Sequence, residues 1–354
     1  MKLESIALAL PGQVVSNSDI LSLIRDYSPR DTEGRLDQAL KAVEFFLSFA
    51  GSNERRWLAE GETPIGLLRQ AGQQALDAAA LRPQDIDLLI YVGIGRGFIE
   101  PGGAYHAANA LGMGGVECFD LIDACMSWTR AMHLSQTLLR AGTYRRIMVV
   151  NAEFNMVKGG AIHPALFDLR SPEAVEWTFP AFTLGEAASA TIVCEDGLHG
   201  RSESPWQFEF ESRPDLADLC NIPLHAYEQF ALPSERIAKN GCGRFTSYGA
   251  QLVEQGRPHI LSVMQRLGRS VPLDSAKALF THASSHRDWQ NFADAAGLGP
   301  LLYSIFPRTG NIVSASVPGA IALAAAEGRI EPGDRLIGWV GSAGMSYGAF
   351  SFVM

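Results

Sequence analysis

The stretch Glu117–Gly142, ECFDLIDACMSWTRAMHLSQTLLRAG, decides the fold. Residues 117–124 read as a strand. Residues 125–142 read as a helix, because Trp128, Met132, Leu138 and Leu139 fall near one face and Gly142 can end it. Cys125 sits at the junction. Upstream, 63–81 has a helical pattern and 85–95 is a β-rich apolar run; downstream, 146–153 is another strand. This rhythm predicts an α/β core with buried strands. It resumes with strands over 276–283 and 335–344 and helices over 286–298 and 318–330. Residues 155–240 are looser, with Pro, Trp and charge mixed, and are expected to carry loops or a lid. The two halves share a layout, which hints at a duplicated α/β unit, although no sequence identity between them is evident.

With 354 residues and 47% hydrophobic content, the chain can bury a large core. Its net charge of −9 argues against a general nucleic-acid binder but leaves room for a local basic patch. No run of 18 apolar residues suggests a membrane span. The N-terminus, MKLESIALAL, reads as a strand and not a signal peptide. Five scattered cysteines without a CxxC pair fit reduced thiols in a cytoplasmic protein, with no zinc site.

Cys125 has two readings. Free cysteine is among the most buried residue types, so it can be a small structural hydrophobe. At a strand-to-helix junction, though, unpaired backbone N–H groups favour a thiolate and lower its pKa, and they can hold an oxyanion. His282 stands at the end of an apolar strand with His286 following it, and Asn311 lies in a glycine-containing turn. Each has an ordinary structural explanation when taken alone.

Taken in order, DACMSW (123–128), FTLGEAASA (182–190), THASSHR (281–287), GNIVSASVPGAIAL (310–323) and VGSAGMSYGAF (340–350) resemble the thiolase superfamily. Within it, they look like the 3-oxoacyl-ACP synthase III (ketoacyl-ACP synthase III) family. The resemblance runs over nearly the whole chain. It implies a five-layered α-β-α-β-α fold of two similar halves and a homodimer. Residues 1–195 would carry the nucleophile, and residues 196–354 the His and Asn. Cys125 resembles the acyl-accepting nucleophile, His282 the family histidine and Asn311 the family asparagine. Gly344 matches the glycine whose N–H joins that of Cys125 in an oxyanion hole. Arg287 matches an arginine associated with the coenzyme A or carrier-protein arm. The implied substrates are acyl-CoA or acyl carrier protein thioesters, with no permanently bound cofactor. The implied reaction is acylation of Cys125 followed by a Claisen condensation, decarboxylative with a malonyl-type partner, as in fatty-acid or polyketide synthesis.

The segment GRGFIEPGGAYHAANALG (95–112) departs from that pattern. Glu100 falls where typical members carry a phenylalanine that crosses the dimer interface. A carboxylate there resembles the branch that joins two long acyl chains, in which a glutamate from the neighbouring subunit is proposed as a base. In an apolar channel its pKa would be raised. Alternatively Glu100 is a surface charge, and Arg96 can pair with it. HASS, GEAASA and Met126-Ser127 are further departures, which point to a divergent member. Three alternatives follow: head-to-head condensation of two acyl chains with Glu100 as base, acyl transfer to a hydroxyl or amine without C–C bond formation, and a non-catalytic partner subunit. A degradative thiolase is disfavoured, because the final segment has no second cysteine.

Overall fold

Two five-stranded sheets with one shared strand order organise the chain. The computed structural model describes residues 1–29, 34–195 and 206–354. The first sheet holds β1 (Lys2–Ala9), β2 (Leu88–Val92), β3 (Glu117–Leu121), β4 (Arg146–Glu153) and β5 (Ala187–Cys194), in the order β1–β5–β4–β2–β3. The second holds β6 (Gln207–Ser212), β7 (Ala276–Thr281), β8 (Leu302–Tyr303), β9 (Arg335–Ser342) and β10 (Ser346–Val353), in the order β6–β10–β9–β7–β8. Each sheet pairs its second strand in parallel with its third and fourth, and closes with two antiparallel pairings. The layout read from the sequence is therefore a duplicated topology.

Among the described residues, eight α-helices run for two turns or more: α1 (Asn17–Tyr27), α2 (Arg35–Ala50), α3 (Pro64–Ala78), α4 (Gly103–Ala110), α5 (Ser127–Arg140), α6 (Gly249–Leu267), α7 (His286–Ala295) and α8 (Ser316–Ala326). Strand β2 shows how the layers arise. Leu88, Ile90 and Val92 point into the central layer with Trp128 and Met132 of α5 and Ile321 of α8. Leu89 and Tyr91, on the other face, pack with Ala71 and Leu76 of α3 and Ala104 of α4. On the far side, Val263 of α6 and Trp289 of α7 cover Ile337 and Trp339 of β9. The result is the thiolase-like α-β-α-β-α stack. Helix α8 survives between two sheets because its buried positions are mostly small or apolar, including Gly319, Ala320 and Ala324.

The segment expected to be loose contains two strands of the main sheets. Strand β5 is buried at every position, so it lacks the alternation that marks a half-exposed strand, and AASATIVC is masked by small residues. Strand β6 also lies in that segment. The expected division at 195/196 abuts residues 196–205, which lie outside the described residues. Among the described residues, no helix is long and apolar enough to cross a membrane.

Candidate active site

Helices α5 and α8 occupy equivalent places in the two halves, and the short turns leading into them meet. The turn Ala124–Met126 precedes α5, and the turn Val313–Ala315 precedes α8. Each opens on a non-glycine residue in the left-handed region, Ala124 at φ 44° and Val313 at φ 49°. Such backbone costs about 1–3 kcal/mol per residue and persists where surrounding contacts impose it. Here the contacts are reciprocal. Ser342, the last residue of β9, accepts the Met126 N–H at 3.2 Å and donates to the Asp123 carbonyl at 3.2 Å. Glu153, the last residue of β4, takes the Ser314 N–H at 3.2 Å.

Cys125, His282 and Asn311 all line one cavity of about 830 Å³. Helix α2 supplies Phe46 and Phe49 to one wall; α6 and α7 supply Val253, Trp289 and Phe292 to another. The volume lies in the upper part of the roughly 300–1,000 Å³ range of small-molecule sites. A smaller cavity of about 310 Å³, beside Gln13, Asp19 and Trp57, holds none of the expected site residues.

Burial pushes the Cys125 thiol above its ordinary range, and nearby Cys220 and Glu153 push the same way. The Ala343 N–H and the Ser342 side chain beside the sulfur oppose this without overcoming it. The thiolate expected from the helix N-terminus is therefore not the resting state: loss of solvent outweighs the local dipoles. His282 follows β7 and is buried, and burial lowers its pKa to about 4. It is neutral at physiological pH. Its Nδ1 lies 3.3 Å from Ser316 Oγ, whose proton goes to the Val313 carbonyl at 2.7 Å. The serine oxygen is left to accept, which assigns the proton to Nδ1 and leaves a lone pair on Nε2. Asn311 is fixed similarly. Its Oδ1 accepts the Val313 N–H at 2.9 Å, so Nδ2 is the atom available to the cavity. Gly310, at φ 66° and ψ −166°, sets up this turn; a Cβ there would lie 2.5 Å from the Thr183 carbonyl oxygen.

Residues 269–354 match the family described as 3-oxoacyl-[acyl-carrier-protein (ACP)] synthase III C terminal. The beta-ketoacyl-[acyl-carrier-protein] synthase III of Gloeobacter violaceus is 26% identical, covering 98% of this chain and 96% of that protein. Its counterpart from Aliarcobacter butzleri is 22% identical over the same shares. Among solved structures, 3-oxoacyl-[acyl-carrier-protein] synthase III of Aquifex aeolicus aligns with a TM-score of 0.78 at 21% identity, covering 100% of this chain and 99% of that one. Xanthomonas campestris OleA with bound lauric acid and lauroyl-CoA aligns at 0.82 and 18% identity, covering 99% and 98%. The chain is 3-oxoacyl-ACP synthase III-like.

Within this 3-oxoacyl-ACP synthase III-like chain, three other expected residues stand apart from the triad. The Ala343 N–H lies at the Cys125 sulfur; Gly344, expected to give its N–H to the oxyanion hole, follows it in a left-handed turn at φ 75°. Arg287 is exposed, with its guanidinium carbon 4.2 Å from the centre of the Phe49 ring, so it stands at the cavity rim. Glu100 is exposed and does not line the cavity of its own chain. The expected Arg96–Glu100 pair does not form. Arg96 instead bonds Asp120 at 2.7 Å, because β3 lies alongside β2 and brings that carboxylate under the loop.

Cys220 was not anticipated at the site. It lines the same cavity, and burial raises its thiol to about 11. It belongs to the short pair Cys220–Asn221 with Thr246–Ser247. No motif surrounds it, so the sequence offered no signal for it. Ser316 and Ser342 lie inside quoted motifs, but their partners His282, Asp123 and Met126 are remote in sequence.

Proposed function

We propose that the protein is a Claisen condensing enzyme for long acyl thioesters, with Cys125 as acyl acceptor. The carrying observation is the apolar cavity that meets Cys125, His282 and Asn311 at one wall. Cys125 gives its proton to His282 Nε2 as its sulfur bonds the thioester carbonyl carbon. The carrier C–S bond breaks, and the departing thiolate takes the proton back. The N–H groups of Cys125 and Ala343 stabilise the tetrahedral oxyanion. Asn311 Nδ2 then donates to the carbonyl of the second thioester. Loss of CO2 from a malonyl-type substrate leaves an enolate, whose carbon attacks the acyl carbonyl. The C–S bond to Cys125 breaks, and a solvent proton restores the thiol. Coenzyme A or acyl carrier protein delivers the chains, and Arg287 meets the carrier arm at the rim.

The position of Glu100 favours a second reading, head-to-head condensation of two acyl chains. Glu100 stands exposed beside Phe98 and Ile99, which are 49% and 77% exposed. Its loop is tied to the edge strand β3 by Asp120, which accepts the Gly103 N–H at 2.8 Å. Phe119 and Ile122 extend the same apolar surface. A second copy covering this edge would form a homodimer and receive Glu100 as a base from its neighbour. The lauroyl-CoA bound by the OleA relative is compatible with long chains here.

Product analysis tests both readings. The protein is supplied with lauroyl-CoA, with and without malonyl-CoA, and extracts are examined by mass spectrometry. A β-keto thioester requiring malonyl-CoA supports the first reading; a β-keto product built from two lauroyl chains supports the second. Ester, amide or free acid alone would contradict both.

A further inference from the structure

We infer that Glu153 is a positioning residue that holds the Asn311 turn of the second half against the first, through Ser314. Its carboxyl group is fully buried and shares no hydrogen bond with Cys125, His282 or Asn311. Oε1 takes the Ser314 N–H and, in a short bond, the Ser314 hydroxyl. Oε2 takes the N–H of Ile94 at 3.2 Å, the N–H of Gly95 at 3.3 Å and Asn155 Nδ2 at 3.3 Å. One side chain thus ties three segments: the end of β4, the exit of β2 toward Glu100, and the turn three residues after Asn311.

The duplicated topology gives this contact a counterpart. Glu153 ends β4 and Ser342 ends β9, the fourth strand of each sheet. Each reaches across to the turn that opens the other half's buried helix. Ser342 holds the Met126 N–H, next to Cys125; Glu153 holds the Ser314 N–H, three residues beyond Asn311. Ser314 occupies in its turn the place that Cys125 occupies in its own. Asn151 Nδ2 also bonds Ser314 Oγ at 2.9 Å, and Ser189 bonds Asn151 at 3.0 Å, so the anchor continues into β5. Burial leaves the Glu153 carboxyl raised overall, and the bonds from Ser314, Ile94 and Asn155 pull it only part of the way back. All its partners supply N–H or O–H donors, a shell that suits a carboxylate.

Glu153→Gln puts an NH2 group against donors whichever way the amide faces, so it should loosen the turn while preserving volume. Ser314→Ala removes only the hydroxyl and is the milder variant. Hydrogen–deuterium exchange over residues 306–317 reads the turn directly and needs no substrate. Exchange should rise clearly in Glu153→Gln and less in Ser314→Ala, with α3 unchanged. The catalytic part rests on the Claisen reading. There, condensation should fall about 10–100-fold in Glu153→Gln relative to acylation of Cys125, by analogy with residues that orient metal ligands from behind. If the wild type does not condense, the Claisen reading fails and the exchange result alone judges Glu153. If Glu153→Gln does not fold, Ser314→Ala decides. Unchanged exchange in the turn overturns the inference, as does equal slowing of acylation and condensation.

Discussion

Asn311 Oδ1 accepts the Val313 amide proton at 2.9 Å within its own turn. That bond orients the side-chain amide, with the acceptor spent on backbone and the donor left for a ligand. Asn311→Asp keeps the acceptor and removes the donor. Condensation should slow by about 10²–10³-fold, the effect of losing one oxyanion-type donor. Acylation of Cys125 should persist. Single-turnover mass spectrometry separates the two steps; equal loss of both would mean that Asn311 acts on structure alone.

The low pKa of His282 has a stability consequence. In the unfolded chain its pKa is near 6.5, and in the fold it is about 4. Between these values the unfolded state binds a proton that the folded state refuses, so stability rises with pH across that window. The contribution is on the order of 3 kcal/mol, fully lost below pH 4. Denaturant melts from pH 4 to 7 should show this slope, and His282→Gln should reduce it. An identical slope in the variant would contradict a neutral buried imidazole.

Cys125 should alkylate slowly for a nucleophile. Its thiol is held high by burial, whereas Cys242 is exposed and serves as an internal reference. With iodoacetamide, Cys125 modification should lag behind Cys242 at pH 8 and keep rising through pH 10. A plateau below pH 8 would show a resting thiolate instead.

Gly310→Ala should damage both fold and site. Its backbone lies at φ 66° and ψ −166°, and a Cβ would also come within 2.7 Å of Arg55 Cβ. A loss of about 1–3 kcal/mol is expected, read as a lowered melting temperature. Condensation should fall with it, because the next residue is Asn311. A fully stable, fully active variant would remove the turn from the account.

Much of the core was legible in the sequence for a plain reason. Strands β2, β3, β4, β7 and β9 and helices α3, α5, α7 and α8 carry apolar runs or helical spacing bounded by turn residues. Strand β5 escaped because complete burial removes alternation. Helix α6 escaped because Pro258 interrupts its pattern, yet the helix runs through it. At the site, Cys125, His282 and Asn311 could be named from short motifs. Their electrostatics could not, since the burial that raises Cys125 and lowers His282 is set by residues from both halves. Glu153 and Ser314 stand 161 residues apart, and nothing local to either announces the other.

In the proposed reaction Cys125 carries the acyl group. Intact-protein mass spectrometry after brief incubation with lauroyl-CoA tests it most directly. A single lauroyl adduct is expected on the wild type, reversed by hydroxylamine, and none on Cys125→Ala. No adduct on the wild type, or an adduct that persists in Cys125→Ala, would contradict it.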